Sequence, residues 1–229
     1  MLDILVIAPH PDDAEISMGG SIALFLAEGR RVGILDLTDG EPTPFGSREV
    51  RQQETEAASR VLGVEWWRCL GLPNRSLEHT LDARWALASV LREVRPKIIF
   101  APYWIDSHPD HVAATELIEA ARFWAKLTKT DMPGEPHLAR HIYFYYCMHL
   151  RVHEQPAFVM DVSKHLETKL RAVQCYQSQF GQRQGDEAPA FLDDVRARAR
   201  YWGWTIGVTF GEPFASRERV GLSGLASLV

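Results

Sequence analysis

The chain has 229 residues, 46% of them hydrophobic, and a formal net charge of −5 at pH 7. This length and composition fit a single domain with a sizeable core and exclude an intrinsically disordered chain. The interspersed acidic charge argues against a nucleic-acid partner and against binding to an anionic membrane surface. No apolar stretch approaches the ~20 residues of a membrane span, and Asp3 interrupts the start of the chain where a signal peptide would need apolar residues. Three widely separated cysteines indicate reduced thiols, so we expect a cytoplasmic protein.

Short apolar runs alternate with amphipathic segments over residues 1–125, which predicts a parallel sheet with helices on both faces. The predicted strands are Asp3–Ala8, Arg31–Leu37, Val64–Leu70 and Lys97–Tyr103, and the predicted helices are Ser21–Glu28, Ser47–Leu62, Leu81–Val94 and Pro109–Ala125. Residues 126–229 are expected to complete the same domain, with strands at 141–148 and 157–162, helices at 164–176 and 193–202, and a mobile loop at 186–189. The fold class is therefore α/β, a Rossmann-like and mostly parallel sheet in one domain.

Two motifs of similar layout follow predicted strands. His10-Pro11-Asp12-Asp13 follows the first strand, and His108-Pro109-Asp110-His111 follows the fourth. Ligands of such sheets bind beyond the carboxyl ends of the strands, so both motifs are expected at one edge. The first loop lacks the glycines of a dinucleotide site, and its two carboxylates would repel a pyrophosphate.

A catalytic zinc ion needs three protein ligands and an open position, and His10, Asp13 and His111 supply such a set. A mixed nitrogen and oxygen set favours Zn²⁺, and other divalent transition metals (Fe²⁺, Mn²⁺, Co²⁺) fit less specifically. The alternative is that each histidine merely caps a strand end.

The remaining polar residues of the motifs are candidates for acid–base roles. Asp12 points away from its neighbour and is predicted to accept a proton from water, with an N-cap or Asx-turn role as the alternative. Protonated His108 is predicted to stabilise an oxyanion or to protonate a leaving group. Asp110 is predicted to hold that imidazole, although a carboxylate in the first turn of a helix is also favourable for the helix alone.

The two motifs together resemble those of the LmbE/PIG-L family of zinc-dependent de-N-acetylases. The resemblance extends over most of the chain, through segments at 35–41, 46–54, 70–74, 100–103, 176–180 and 201–214. The last of these segments is most similar to the bacterial branch associated with bacillithiol biosynthesis. Asn74 departs from that branch, which often has Asp at this position.

The resemblance implies that His10, Asp13 and His111 bind zinc, that Asp12 is the base and that His108 is the electrophilic partner. It also matches Arg51 to an arginine that contacts substrate, with Arg48 as the alternative occupant.

We therefore expect a zinc hydrolase that removes the N-acetyl group from a small glycoside of N-acetylglucosamine, with N-acetylglucosaminyl malate as a candidate substrate. A homo-oligomer is also expected. The alternatives are a metallohydrolase of another amide, ester or thiol conjugate, and a metal-binding module without catalysis.

Overall fold

The computed structural model describes residues 1–149, 151, 155–181 and 187–221, with the backbone alone at 187–190. Its strands are Ile4–Ala8 (β1), Val32–Thr38 (β2), Trp66–Leu72 (β3), Ile98–Pro102 (β4), His141–Tyr145 (β5), Phe158–Asp161 (β6) and Gly211–Ala215 (β7). Its helices are Asp13–Ala27 (α1), Arg48–Leu62 (α2), Leu81–Val94 (α3), Pro109–Ala125 (α4), Leu166–Val173 (α5), Gln177–Phe180 (α6) and Glu187–Thr205 (α7). Among the helices of these residues, none combines the length and the apolar character needed to cross a bilayer.

The strands form one sheet in the order β3-β2-β1-β4-β5-β7-β6. Strands β1 to β5 are parallel, and β7 runs antiparallel to both β5 and β6. The predicted single-domain α/β fold with a mostly parallel sheet is confirmed. Strands β2 and β3 are added on one side of β1, and the chain then crosses over to add β4 and β5 on its other side. This switch in strand order opens a crevice at the carboxyl ends of β1 and β4.

Apolar side chains cover both faces of the sheet, as a parallel sheet between helices requires. Leu5 and Ile7 of β1 join a buried cluster on one face that includes Leu91 of α3. Val6 projects to the other face and joins a cluster that includes Ile22 of α1. Successive side chains of β1 therefore pack against helices on opposite faces of the sheet. The loops at the carboxyl ends of the strands are left to form a site.

Helix α1 begins earlier than the sequence predicts and is broken inside. It starts at Asp13 rather than Ser21, and Met18 interrupts it with φ −140° and ψ 22°. The break frees backbone N–H groups, and buried Glu212 of β7 accepts hydrogen bonds from Gly20 N (3.0 Å) and Ser21 N (2.7 Å). Lys169 Nζ of α5 lies 2.6 Å from the same carboxylate. Glu212 thus connects the end of the sheet to two helices.

The C-terminal part differs from the prediction in three places. The short helix α6 and the strand β7 were not predicted. For β7 the reason is that it contains Gly211 and Pro213, which are uncommon inside strands and favour turns. The predicted mobile loop is wrong at residues 187–189, which belong to α7, and Asp186 lies outside the described residues. The other elements agree with the prediction apart from shifts at their ends.

Candidate active site

Three predicted metal ligands converge where β1 and β4 end. His10 follows β1, Asp13 is the first residue of α1, and His111 lies in the first turn of α4. One ligand atom from each lies within 4.8 Å of the others. Asp13 Oδ2 is 3.1 Å from His10 Nδ1 and 3.2 Å from His111 Nε2. The structure therefore brings together the three side chains that the motifs predicted.

The surroundings of His111 fit a metal ligand. Its Nδ1 lies 3.1 Å from the Asp106 carboxylate, which orients the ring, whereas its buried Nε2 faces Asp13 Oδ2 at 3.2 Å without the geometry of a hydrogen bond. A buried polar atom without a partner is costly, and a cation at this point would satisfy it. A carboxylate behind a ligating imidazole is also the usual arrangement around protein-bound metals. The donor set therefore fits a divalent transition metal.

The charges of the cluster agree with a cation site. Burial alone would lower the pKa of His10, but hydrogen bonds to Asp110 and Asp13 raise it to about 9. Burial would raise the pKa of Asp13, but the neighbouring His111 and His10 hold it well below its usual range. The carboxylates thus keep protons on the imidazoles, and a metal ion would take the place of those protons.

Asp12, the predicted base, lies beside this cluster. Its backbone is left-handed, with φ 99°, and its Oδ2 accepts hydrogen bonds from Arg51 Nη1 (3.2 Å) and Nη2 (3.3 Å). Burial raises the pKa of Asp12 to about 6, against the lowering effect of the Arg51 guanidinium. A carboxylate with this pKa is well suited to take and return a proton near neutral pH.

Arg51 lies in the wall of the site, but its guanidinium is already engaged. Besides Asp12 it donates to the carbonyl of Pro11 (2.8 Å), and its Nε lies 3.7 Å from Glu41 Oε1. The residue is 3% exposed. Its visible role is therefore to hold the Asp12 carboxylate.

His108 lies beside His10 and His111 as predicted, but its hydrogen-bond partner differs from the predicted one. Its Nδ1 accepts a hydrogen bond from the backbone N–H of Asp110 (3.2 Å), which leaves the proton on Nε2. Burial and the nearby charges of His111 and His10 lower its pKa to about 4. The predicted contact between His108 and the Asp110 carboxylate is therefore wrong, because the imidazole bonds to the backbone of Asp110 instead. The lowered pKa favours a neutral ring with an Nε2–H donor over the predicted cationic ring.

The Asp110 carboxylate faces other partners. It lies 3.2 Å from His10 Nε2 and accepts hydrogen bonds from the backbone N–H groups of Arg75 (2.7 Å) and Leu77 (3.3 Å). Burial would raise its pKa, but the hydrogen bond to His10 and these backbone bonds lower it. Asp110 therefore orients His10, a predicted metal ligand, and fixes the loop after β3.

These groups open into a cleft of about 220 Å³, here called the central cleft. Its lining residues are His10, Asp12, Asp13, Gly40, Pro42, Thr43, Arg51, Asn74, Arg75, His108, His149 and Gln179. Arg48 is not among them. Its guanidinium pairs with Asp39 at 2.7 Å, and the residue lines a neighbouring cavity instead.

Sequence reasoning missed Asp106, Arg75 and Gln179. Asp106 lies two residues before His108 in the loop that follows β4, so its place near a strand end was the available signal. Arg75 follows Asn74 in a turn, and no residue pattern marks it as part of the central cleft. His149 also lines the central cleft, with its ring centroid 5.4 Å from those of His108 and His111.

A protein-family model matches the part of the chain that carries the site. The family is described as PIG-L, GlcNAc-PI de-N-acetylase, and the match covers residues 5–122, which is more than half of the chain. Both motifs lie inside this range.

Individual relatives extend the similarity over nearly the whole chain. Diacetylchitobiose deacetylase of Thermococcus kodakarensis is 31% identical over 224 residues, covering 91% of this chain and 80% of its own. A probable N-acetyl-alpha-D-glucosaminyl L-malate deacetylase 2 of Bacillus anthracis is 26% identical over 77% of this chain and 81% of its own. The crystal structure of the conserved protein TT1542 from Thermus thermophilus superimposes with a TM-score of 0.89, at 40% identity and 97% coverage of both chains. The chain therefore belongs to the PIG-L family of de-N-acetylases and is a hydrolase of N-acetyl groups.

Proposed function

We propose that the protein is a divalent-metal-dependent deacetylase that hydrolyses the N-acetyl group of a small N-acetylglucosamine glycoside. The observation that carries the proposal is the joint placement of His10, Asp13 and His111 beside Asp12 and His108 in one cleft. The two similar deacetylases, named for diacetylchitobiose and for N-acetylglucosaminyl malate, support the sugar as the shared part of the substrate.

The metal, which we propose is zinc, would be held by His10, Asp13 and His111 and would supply Lewis acidity for an unreactive amide carbonyl. A neutral His108 donates its Nε2–H to the carbonyl oxygen as negative charge develops there. This donor needs no proton from solution, because the Asp110 amide keeps Nδ1 as the acceptor.

Asp12 moves the protons of the reaction. Because Arg51 occupies its Oδ2, we assign Oδ1 as the atom that accepts a proton from the attacking water. The water oxygen bonds to the carbonyl carbon, the C–N bond breaks, and Asp12 returns the proton to the departing nitrogen. The products are acetate and a free amine.

The test is product analysis with defined substrates. The purified protein, loaded with Zn²⁺, Co²⁺ or Mn²⁺, is incubated with N,N′-diacetylchitobiose, N-acetylglucosaminyl malate and N-acetylglucosamine, and acetate and free amine are measured. We expect equal amounts of both products from at least one glycoside, and release slowed by at least about 100-fold in the metal-loaded Asp12→Asn variant. A metal-loaded protein that releases no acetate from any of them would favour a metal-binding module, and a different product would favour another hydrolase.

A further inference from the structure

The arginines near the central cleft differ in whether an acidic partner neutralises them. Arg48 pairs with Asp39 and Arg51 pairs with Asp12. Arg75 is exposed, and no carboxylate of the described residues lies within 4.0 Å of its guanidinium. Its Nη2 donates to the backbone carbonyl of Pro42 across the cleft. One positive charge at the wall of the cleft is therefore left for a ligand.

The backbone of Arg75 is fixed relative to the catalytic groups. Its N–H donates to Asp110 Oδ2, and the same oxygen lies 3.2 Å from His10 Nε2. The residue has φ 64°, a left-handed conformation that glycine adopts without strain and arginine does not. The arginine side chain is thus present at a position where the backbone alone favours glycine, next to the predicted metal ligands.

A guanidinium in this state matches one kind of ligand chemistry. It carries five N–H donors in a rigid fork, and here one of its nitrogens is engaged by a neutral carbonyl. Carboxylate and phosphate groups accept two parallel hydrogen bonds from such a fork. Arg51 is a poorer receptor, because a ligand that drew its guanidinium away would leave the buried Asp12 carboxylate without its partner.

We propose that Arg75 is a specificity-determining residue that binds an anionic group, a carboxylate or a phosphate, on the aglycone of the substrate. The proposal rests on the proposed deacetylase function, since an acetyl group placed beside Asp12 and His108 directs the rest of the glycoside along the cleft. The enzyme then distinguishes anionic from neutral N-acetylglucosamine derivatives at this residue.

The test compares three substrates in the metal-loaded enzyme and its variants. They are N-acetylglucosaminyl malate, N-acetylglucosamine 1-phosphate and neutral N,N′-diacetylchitobiose. In Arg75→Gly, whose backbone keeps φ 64° without strain, we expect kcat/KM for an anionic substrate to fall about 10-fold more than for chitobiose, mainly through KM. Arg75→Lys keeps the charge without the fork and is expected to lie between Arg75→Gly and the wild type.

Arg95→Gly is the matched control. Arg95 also has a positive φ (51°), but it ends helix α3 and its guanidinium donates to the carbonyls of Glu135 and Pro136, away from the cleft. We expect it to leave all three substrates unaffected. The anionic substrate that loses more in Arg75→Gly identifies the ligand as a carboxylate or as a phosphate.

Equal losses for anionic and neutral substrates in Arg75→Gly would overturn the proposal while the deacetylase function stands. If no substrate releases acetate, the proposed function fails, and calorimetric binding of N-acetylglucosaminyl malate and N-acetylglucosamine 1-phosphate still decides the role of Arg75. Weaker binding of either anion to Arg75→Gly than to the wild type supports an anion receptor. Unchanged binding of both contradicts it.

Discussion

Asp12 has a left-handed backbone conformation, and its buried carboxylate accepts hydrogen bonds from Arg51. Both features determine which substitution tests its role. Asparagine tolerates the left-handed conformation almost as well as aspartate, so Asp12→Asn removes the charge without adding backbone strain. We expect this variant to retain metal and to lose activity by ~10²–10⁴-fold, the usual contribution of a positioned base. Metal analysis together with acetate release measures both effects. Loss of metal in Asp12→Asn would show that Asp12 is itself a ligand.

The pKa of Asp12 predicts the acid side of the pH profile. Burial raises this pKa to about 6 while Arg51 lowers it, and the carboxylate must be deprotonated to act. We expect kcat/KM to fall as the pH drops through about 6. In Arg51→Met the lowering charge is gone, so the acid limb moves to higher pH. Arg48→Met, which removes a guanidinium paired with Asp39, is the control and should leave the limb in place. An unmoved limb in Arg51→Met would contradict the assigned base.

The metal ligands themselves give a direct prediction. His111→Ala removes the imidazole whose Nε2 faces Asp13 Oδ2, and we expect it to abolish metal binding and activity while the sheet still folds. Asp106→Asn keeps the ring but weakens its orientation, so metal affinity should fall by roughly 10–100-fold. Elemental analysis of both variants provides the measurement, and full metal occupancy in His111→Ala would show that the ligand set is wrong.

The two motifs predict which residues lie in the site better than they predict which hydrogen bonds those residues make. His10, Asp13 and His111 could be predicted because each lies inside a short motif at a strand end. The partner of Asp110 could not be predicted. Its spacing of two residues from His108 suggests a contact between the two side chains, but His108 caps the start of α4 and bonds to the backbone there. There the backbone N–H of Asp110 meets His108, and the carboxylate turns towards Arg75 and Leu77.

At the scale of elements, the buried pair of Lys169 and Glu212 holds α1, α5 and β7 together. Glu212→Gln leaves the lysine charge buried without its counter-charge, and breaking such a pair costs about 3–5 kcal/mol. We expect a loss of unfolding free energy of this order in urea denaturation. Glu167→Gln, which removes an exposed partner of Arg196, is the control and should cost less than about 1 kcal/mol. Similar losses in the two variants would mean that Glu212 does not join the elements.

The predictability of the strands follows the apolar character of their local sequence rather than their burial, since the fully buried β7 was not predicted. Strands β1 and β4 are continuous apolar runs, and their sequence is sufficient to predict them. Strand β7 contains Gly211, Glu212 and Pro213, and its place in the sheet depends on β5 and β6, which are distant in the chain. Glu212 in particular is polar in sequence yet buried by its bonds to α1, so no local pattern predicts its position.

For the whole molecule, the charged site predicts that stability depends on metal and pH together. The pKa of His10 is raised to about 9 in the absence of metal, so the stability that its proton contributes is complete below about 6.5 and is lost as the pH rises through about 9. We expect the chelated protein to lose thermal stability over this range. Added Zn²⁺ should restore it most strongly at the alkaline end, because metal binding no longer competes with that proton.

Thermal unfolding at about pH 6, 7.5 and 9, with Zn²⁺ and with a chelator, measures this effect. His111→Ala is the control and should show no response to Zn²⁺. A wild-type protein whose melting temperature is equally insensitive to the metal at all three pH values would contradict the metal site.

The position of β7 between β5 and β6 also constrains the order in which the protein can be completed during synthesis. The chain makes β6 well before β7, yet β6 pairs with β7 and with no other described strand. While the ribosome adds α5, α6 and α7, the nascent β6 has no neighbour and β5 presents an open edge. The sheet closes when Gly211–Ala215 leaves the exit tunnel, and the same segment delivers Glu212 to the gap in α1. The sheet is therefore completed only after β7 has been translated. The loops that carry the candidate site are translated much earlier.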